Sequence, residues 1–499
     1  MMLALVALSA VMLFVRLAAA RIVGFGDSEA LYACYALHPK QAAFLDHPGL
    51  IGVLARTLGG GTAPGTLAAH TATAVLATAA PWLLVLAARA AGAGWRAAAT
   101  AGLAVAVVPE IAVGLFAMSP DLLLFVAWVV ALGLAARGLE AAPDSSRAAT
   151  CLLLAGLAAG IGCAAKVSGA TLLLALVITY LSRRPEARAH AKTLWPWLGL
   201  AAGLVVVAPI AVYEARTGWP MLRHRLIDTQ AGAGLSLRNA GALLLGQLGY
   251  LSPLVAVVAV ILGRDLWRTH RRSLTGVLLW NATAVPLVVL APLCLWSRVA
   301  EPHWLAPALL ALPIHLALRM TEGTVVVRRR LALATVASAA AFSVAAHAWV
   351  LLPQVSALVP ASYDPRFDIA NELYGWPEVV TSVRRLATEE HTPLEAPGSV
   401  VVVGPHWVVC AQLHALLRDD LPVGCAGPQR DDFDDWLPRA QWERADTLIY
   451  VTDNRFPEPD FGKLFPDRVL KHQTRLRIFR GGKVARLFTL AVLEIRGAA

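Results

Sequence analysis

Charge is scarce in this chain. Only 15% of its 499 residues are Asp, Glu, Lys or Arg, while 58% are hydrophobic and the mean hydropathy is +0.61. A soluble domain carries about 25% charged residues, so a single water-soluble globule is excluded. Cysteine is sparse as well. The six are Cys34, Cys151, Cys163, Cys294, Cys410 and Cys425. No CxxC pair exists among them, so no paired-thiol or cysteine-zinc motif is present. The histidines form no cluster with metal-ligand spacing, and no internal repeat is evident. The net charge of +10 is spread over many short segments rather than gathered on one domain, which argues against nucleic acid as a partner.

What the chain has is apolar length. Roughly 20 apolar residues in a helix cross about 30 Å of hydrocarbon. Candidate spans fall near 3–20, 66–88, 97–117, 121–137, 148–165, 167–181, 194–213, 241–262, 273–293, 302–318 and 331–350. They are rich in glycine and alanine, as expected where helices approach closely in a membrane. The first run has the apolar core and small-residue end of a signal peptide. No basic residue precedes it, however, and Arg16 interrupts it, so it reads as a retained helix.

Lys and Arg mark the cytoplasmic loops of a membrane protein. One alternate set of loops carries Arg89 and Arg96, Arg137 and Arg147, Arg183, Arg184, Arg188 and Lys192, Arg264 to Arg272, and Arg319 to Arg330. That set is expected inside. Eleven crossings then place the N-terminus inside and everything after Leu351 outside. The division predicted is a membrane domain over 1–350 and an extracytoplasmic domain over 351–499. The latter has no long apolar run. Strand-like pieces at 399–403, 447–452, 475–479 and 488–495, with helical pieces near 376–390 and 407–418, read as a small α/β domain. At about 140 residues it can bury its own core. Its Asp431-Asp432-Phe433-Asp434-Asp435-Trp436 stretch is either an acidic surface turn or a cation site, though the spacing is not that of an EF-hand. Cys410 and Cys425 lie where oxidation is allowed, and their pairing stays open.

The polar residues then gather on one side. They occupy 27–48, Ser119-Pro120-Asp121, Lys166, 213–238, 298–304 and the C-terminal region. Asp27 and Glu29 follow the first span directly. Ionisable groups at hydrocarbon are costly and usually kept for pairing or function. A carboxylate there serves either as general base or as a cap for the helix starting near Glu29. Tyr32, Tyr35, Leu37, Phe44, Leu50, Ile51 and Leu54 have helical spacing and suggest helices lying along the interface. Ser119 and Pro120 suit a helix start, and Glu110 lies within the third span. Lys166 either snorkels or meets a phosphate. Arginine suits bidentate phosphate contact, which makes Arg223 and Arg298 candidates. Trp219 and Trp304 suit an interfacial belt or a sugar platform. Together, bases, acids and aromatics on one face point to chemistry on a phosphate-bearing lipid.

These same residues resemble a known family. Asp27-Ser28-Glu29-Ala30-Leu31-Tyr32, Asp46-His47-Pro48-Gly49, Pro120-Asp121, Lys166-Val167-Ser168-Gly169, Gly218-Trp219 and Glu301-Pro302-His303-Trp304 follow, in order and spacing, the motifs of glycosyltransferase family 39. That is the GT-C group of the protein O-mannosyltransferases and the lipid A aminoarabinose transferase. The likeness covers nearly the whole membrane region and, more weakly, the C-terminal domain. It implies a mostly α, polytopic GT-C fold with about eleven transmembrane helices. It also implies an inverting transfer of sugar from a polyprenyl phosphate, of the undecaprenyl type in bacteria, at the outer face of the cytoplasmic membrane. The acceptor would be a protein, lipid A or another envelope glycan. By the same likeness Asp27, Glu29 and Asp121 are the catalytic candidates, and Lys166, Arg223 and Arg298 would hold the donor phosphate. Asp46, His47, Glu110, Trp219, Glu301, His303 and Trp304 would shape the pocket. No cofactor is implied, and a divalent cation is left open without being indicated. The family's aspartate directly precedes its glutamate, whereas here Ser28 stands between Asp27 and Glu29. A lipid-glycan transporter or flippase, or an inactive glycan-binding relative, is the alternative. The transporter would call for paired repeats and charges at mid-membrane depth, and only Glu110 approaches that depth.

Overall fold

The computed structural model describes residues 1–299, 301–359, 363–390 and 400–496. The chain is a mostly α, polytopic membrane protein. Among the described residues eight helices are long and apolar enough to cross a bilayer, and three bent helix pairs bring the number to eleven. Each of the expected apolar runs coincides with one of these. What the hydropathy pattern did not show is the bending. The third span is Trp95–Ala106 followed by Pro109–Phe116 at 80°, and the eighth is Leu237–Leu251 followed by Pro253–Arg272 at 100°. A third pair, Val167–Tyr180 and Pro185–Ala191, meets at 110°. Every second limb opens with a proline. Proline cannot donate to the preceding turn but suits the first position of a new helix.

A break inside hydrocarbon frees backbone carbonyls that must find partners within the protein. In the third span they find side chains from other spans. Arg16 Nη2 donates to the Ile111 and Ala112 carbonyls at 2.8 and 2.9 Å, and its Nη1 donates to Thr78 Oγ1 at 2.9 Å. Ser343 Oγ donates to the Val107 carbonyl at 2.7 Å. Arg16, which looked like a flaw in the first apolar run, is therefore a buried clamp with 3% exposure. Arg16→Met should lower the stability of the detergent-solubilised protein by at least about 3 kcal/mol, since each of the three hydrogen bonds lost contributes roughly 1.5–3 kcal/mol and the apolar replacement offsets only part of that. Thermal unfolding, with Arg16→Lys as the milder comparison, measures this.

Contacts divide the chain into two units. The first is Met1–Leu17, Gln41–Ile51 and Thr71–Ala346, and the second is Ala18–Lys40, Gly52–His70 and His347–Ala499. The first unit is the helical body. One close seam joins Ser146–Ala165 to Trp195–Thr217. A Cβ on Gly156 would lie 2.1 Å from the Gly199 carbonyl, and one on Gly160 would lie 2.4 Å from Gly203. Only glycine allows that approach.

The second unit contains a five-stranded sheet of order β2-β1-β3-β5-β4. Its strands are β1 (Val400–Gly404), β2 (Val423–Cys425), β3 (Thr447–Asp453), β4 (Arg468–Arg480) and β5 (Lys483–Ile495). β1 pairs parallel to β2 and β3, while β5 pairs antiparallel to β3 and β4. All residues of β1 and β3 are buried, as their near-continuous apolar sequence requires of central strands. Helices Trp376–Glu390 and Trp407–Leu417 lie where the sequence put them. β4 begins earlier than expected, and Ser399 falls outside the described residues.

Helix Asp27–Tyr35, which its spacing suggested would lie along the interface, belongs to this unit, and all its residues but Ser28 are buried. It packs on Trp407–Leu417, with Cys34 Sγ donating to the Ala411 carbonyl at 3.4 Å and Tyr35 OH to Asp432 Oδ2 at 3.3 Å. The acidic stretch also has local roles. Asp431 caps helix Asp432–Trp436 by accepting from Phe433 N at 2.9 Å, and Asp434 accepts from Asp431 N at 2.9 Å. Among the described residues no group of three or more His, Cys, Asp or Glu is placed to hold a metal ion. Cys410 and Cys425 are buried free thiols, Cys410 Sγ meeting the Gly424 carbonyl at 3.5 Å.

Candidate active site

Two groups of ionisable side chains contain most of the residues singled out from the sequence, one in each unit. In the second unit Asp27 and Glu29 lie on the first turns of helix Asp27–Tyr35 and are 5% and 7% exposed. Glu29 reaches back to accept from Gly26 N at 3.0 Å, so it does cap the helix, and its other oxygen meets His70 Nε2 at 3.1 Å. Asp27 is held at both oxygens. Gln412 Nε2 donates to Oδ1 at 3.1 Å, and Arg455 Nη1 donates to Oδ2 at 2.5 Å. Arg455 is itself gripped by Asp453, with Nε donating at 2.9 and 3.0 Å and Nη2 at 2.7 Å. The Asp27 backbone N–H donates to Glu372 Oε2 at 3.3 Å. Burial raises the Asp27 carboxyl above its ordinary value, against the downward pull of Arg455 and Gln412.

Glu372 responds to the same crowding. Burial first, and the charge of Asp27 second, push its carboxyl up to about 7. The folded value lies above the unfolded value of about 4.3. The contribution of Glu372 to stability is therefore full below the unfolded value and is lost as pH rises through about 7. Glu372→Gln keeps an oxygen for the Asp27 N–H and removes the titration. It should leave stability near pH 4 unchanged and raise it at pH 8 by up to about 3 kcal/mol. Thermal unfolding at the two pH values checks this.

In the first unit Asp121, Lys166, His303 and Glu301 form a chain. Lys166 Nζ donates to both Asp121 oxygens at 2.7 and 2.9 Å and meets His303 Nε2 at 3.2 Å. His303 Nδ1 meets Glu301 Oε2 at 3.1 Å. An ammonium has only protons to offer, so His303 accepts at Nε2 and donates from Nδ1. That hydrogen bond is the main reason the Glu301 carboxyl lies below its ordinary value. Asp121 sits at the start of helix Pro120–Leu139, whose first turn Ser119 Oγ caps through Leu122 N. Glu110 lies near enough to feel Asp121 and Lys166, because the bend after Ala106 places it at the head of the short limb Pro109–Ala112.

His47 is buried in the same neighbourhood. Desolvation holds it well below its ordinary value, reinforced by the charges of Arg225 and Lys166. Asp46 beside it receives Arg225 Nη2 at 3.0 Å, with His224 Nε2 at 3.7 Å. Asp121 and Glu110 are also the two charged residues lining a mostly apolar cavity of about 160 Å³, whose walls include Leu124, Phe125, Leu251, Leu262 and Leu316.

Other candidates stand apart. Arg223 and Arg298 are exposed, Arg298 Nη1 donating to the Ala231 carbonyl at 2.7 Å. Trp219 is 45% exposed, and Trp304 is half-buried in the turn Pro302–Leu305. Gly218 and Trp219 are both left-handed, at φ 84° and 60°. Buried Glu214 braces that turn by accepting from Met221 N and Leu222 N, each at 3.3 Å.

Sequence reasoning missed Arg455, Asp453, Glu372 and Gln412, which lie more than 340 residues from Asp27 and carry no motif. It also passed over Arg225 in favour of Arg223. His70 left a signal, being an ionisable residue inside the second apolar run.

Against this geometry the solved structures can be compared. ArnT from Cupriavidus metallidurans, bound to undecaprenyl phosphate, superimposes with a TM-score of 0.61 at 15% identity, and the match covers 97% of each chain. Its apo form gives 0.63. The fold is GT-C. The mycobacterial arabinofuranosyltransferase AftD carries the same GT-C likeness at a TM-score of 0.56 and 15% identity, covering 98% of this chain and 40% of its own. In sequence, the dolichyl-phosphate-mannose-protein mannosyltransferase family model matches residues 62–213. No curated protein matches the chain.

Proposed function

We propose that this GT-C protein is an inverting glycosyltransferase that moves a sugar from a polyprenyl monophosphate to a hydroxyl acceptor. The observation that carries the reading is the Asp121–Lys166–His303–Glu301 chain, whose Asp121 also lines an apolar cavity. An apolar wall suits an isoprenoid chain, and a lysine among polar partners suits the phosphate at its end. Lys166 has three protons, and Asp121 and His303 engage all of them. A phosphate oxygen would therefore take the place of one of these partners at Lys166 Nζ. The matched family and the ArnT complex are named for lipid-phosphate ligands of this kind.

In the proposed reaction a carboxylate takes the proton of the acceptor hydroxyl. The hydroxyl oxygen bonds to the anomeric carbon from the face opposite the leaving group. The bond from that carbon to the phosphate oxygen breaks, and the lipid phosphate leaves as an anion stabilised by positive charge. Asp27 is the proposed base, and Lys166 with Arg223 and Arg298 the proposed phosphate partners. Asp121 and Glu29 would orient substrate, and Asp46, His47, Glu110, Trp219, Glu301, His303 and Trp304 would line the pocket. The loop charges support an extracytoplasmic placement of 351–499, and a bacterial inner membrane is the setting proposed with it. The acceptor class is an envelope glycan, lipid A or a protein.

Membrane vesicles from a strain lacking the chain retain its native substrates. Purified protein added to them should release free polyprenyl phosphate, and a nucleotide sugar given without lipid should be inert. Turnover of the nucleotide sugar with no lipid intermediate would refute the proposal. Glycan profiling of the same strain would name the acceptor.

A further inference from the structure

The grip on Asp27 is unusual in its completeness. Arg455 follows β3 by two residues and lends its Nε and Nη2 to Asp453, leaving Nη1 for Asp27 Oδ2. Asp453 therefore sets the plane of the guanidinium, and the guanidinium fixes one oxygen of Asp27. Gln412 fixes the other and is anchored in turn, its Nε2 also donating to the Phe25 carbonyl at 2.8 Å. A carboxylate tethered at one oxygen can still swing, whereas one tethered at both cannot. All these groups lie within the second unit.

The charges that face Asp27 come from several elements. Arg455 and Asp453 come from the end of β3, Glu372 from the turn before helix Trp376–Glu390, and Arg486 from β5. Glu29, paired with His70, approaches the same Gly26 as Glu372, and His406 lies near Arg455. Among the described residues Arg455 is the cation that touches Asp27 directly.

We propose that Arg455, braced by Asp453, is a positioning residue for Asp27, fixing the orientation of its carboxylate and keeping it ionised for proton transfer. This rests on Asp27 being the base. It gives the C-terminal sheet a part in the chemistry rather than a purely structural one. The opposing view is that Arg455 is a tie between helix Asp27–Tyr35 and the sheet, with no effect on protonation.

The test uses the full chain in the vesicles described above and follows polyprenyl phosphate release between about pH 5 and 9. Arg455→Gln should slow turnover about 10²-fold, the scale of a misplaced reacting group. It should also move the acid limb of the profile upward by about one unit, because the carboxylate loses its adjacent cation. Arg455→Lys keeps the charge and loses the fork. Its limb should return to the wild-type position while its rate stays roughly tenfold low. A purely structural tie would scale the profile without moving its limb, and that result for Arg455→Gln overturns the proposal. Should Arg455→Gln fail to fold, Arg455→Lys decides alone, and a full wild-type rate there overturns it. Asp27→Asn is run in parallel. Near-normal turnover in that variant refutes the base itself. Loss of turnover with an unmoved Arg455→Gln limb refutes only the role of Arg455.

Discussion

Asp27→Asn should reduce turnover about 10²–10⁴-fold, the contribution typical of general-base catalysis. The substitution keeps size and removes the proton acceptor. It also disturbs the local bonding, because an amide offers one oxygen where Gln412 and Arg455 now donate to two. Arg455 retains Asp453 as a partner, so the fold should survive with reduced stability. Rates are therefore compared per folded molecule. Ser28→Asp, which places aspartate directly before Glu29, should restore part of the loss. Near-normal turnover in folded Asp27→Asn would exclude Asp27, leaving Glu29, Asp46 and Asp121. Of these, Glu29 is already engaged by the Gly26 N–H and His70, and Asp46 by Arg225.

Lys166→Ala should lower kcat/KM for the lipid donor by about 10²–10³-fold, the effect of deleting one group that stabilises developing negative charge. Stability should fall too, because Asp121 is then left without its cation and close to Glu110. The loss should be smaller than the roughly 3–5 kcal/mol of a fully buried pair, since the Asp121 side chain is 30% exposed. Pairing Lys166→Ala with Asp121→Asn removes the stranded charge. The double variant should regain stability but not donor use. Recovery of both would mean that Lys166 serves only to neutralise Asp121.

Much of the architecture was legible because it follows from one-dimensional patterns. Apolar runs long enough to span hydrocarbon became the spans, and the strand-like runs at 399–403 and 447–452 correspond to the central strands Val400–Gly404 and Thr447–Asp453. The bends were less legible. Pro109 and Pro253 were present as signals, but hydropathy averages over them. Of the two ionisable groups, Asp121, Lys166, Glu301 and His303 were readable as motifs because each lies at a helix end facing the same way. The partners of Asp27 were not. An arginine after a strand and a glutamate in a turn have no local feature that tells them from solvent-facing residues. Their role comes only from folding of segments hundreds of residues apart. Arg225, which meets Asp46, was passed over beside Arg223 for a similar reason. On the seven-residue helix Pro220–Leu226 two residues change the face by about 200°, and composition does not say which face is turned inward.

The Arg16 clamp also bears on how the protein is made. The first span is synthesised before the residues that receive its guanidinium, Thr78, Ile111 and Ala112. An arginine at the centre of an isolated transmembrane helix carries a translocon insertion penalty of roughly 2.5–3.5 kcal/mol, and Arg16, beyond the middle of Met2–Ile22, carries a part of it. Until the second and third spans arrive, Arg16 must reach toward the lipid surface or remain in contact with the insertion machinery. The broken third span, for its part, has exposed carbonyls until Arg16 meets them. Each is thus incomplete without the other, and membrane integration of the first three spans becomes a joint event rather than three independent ones.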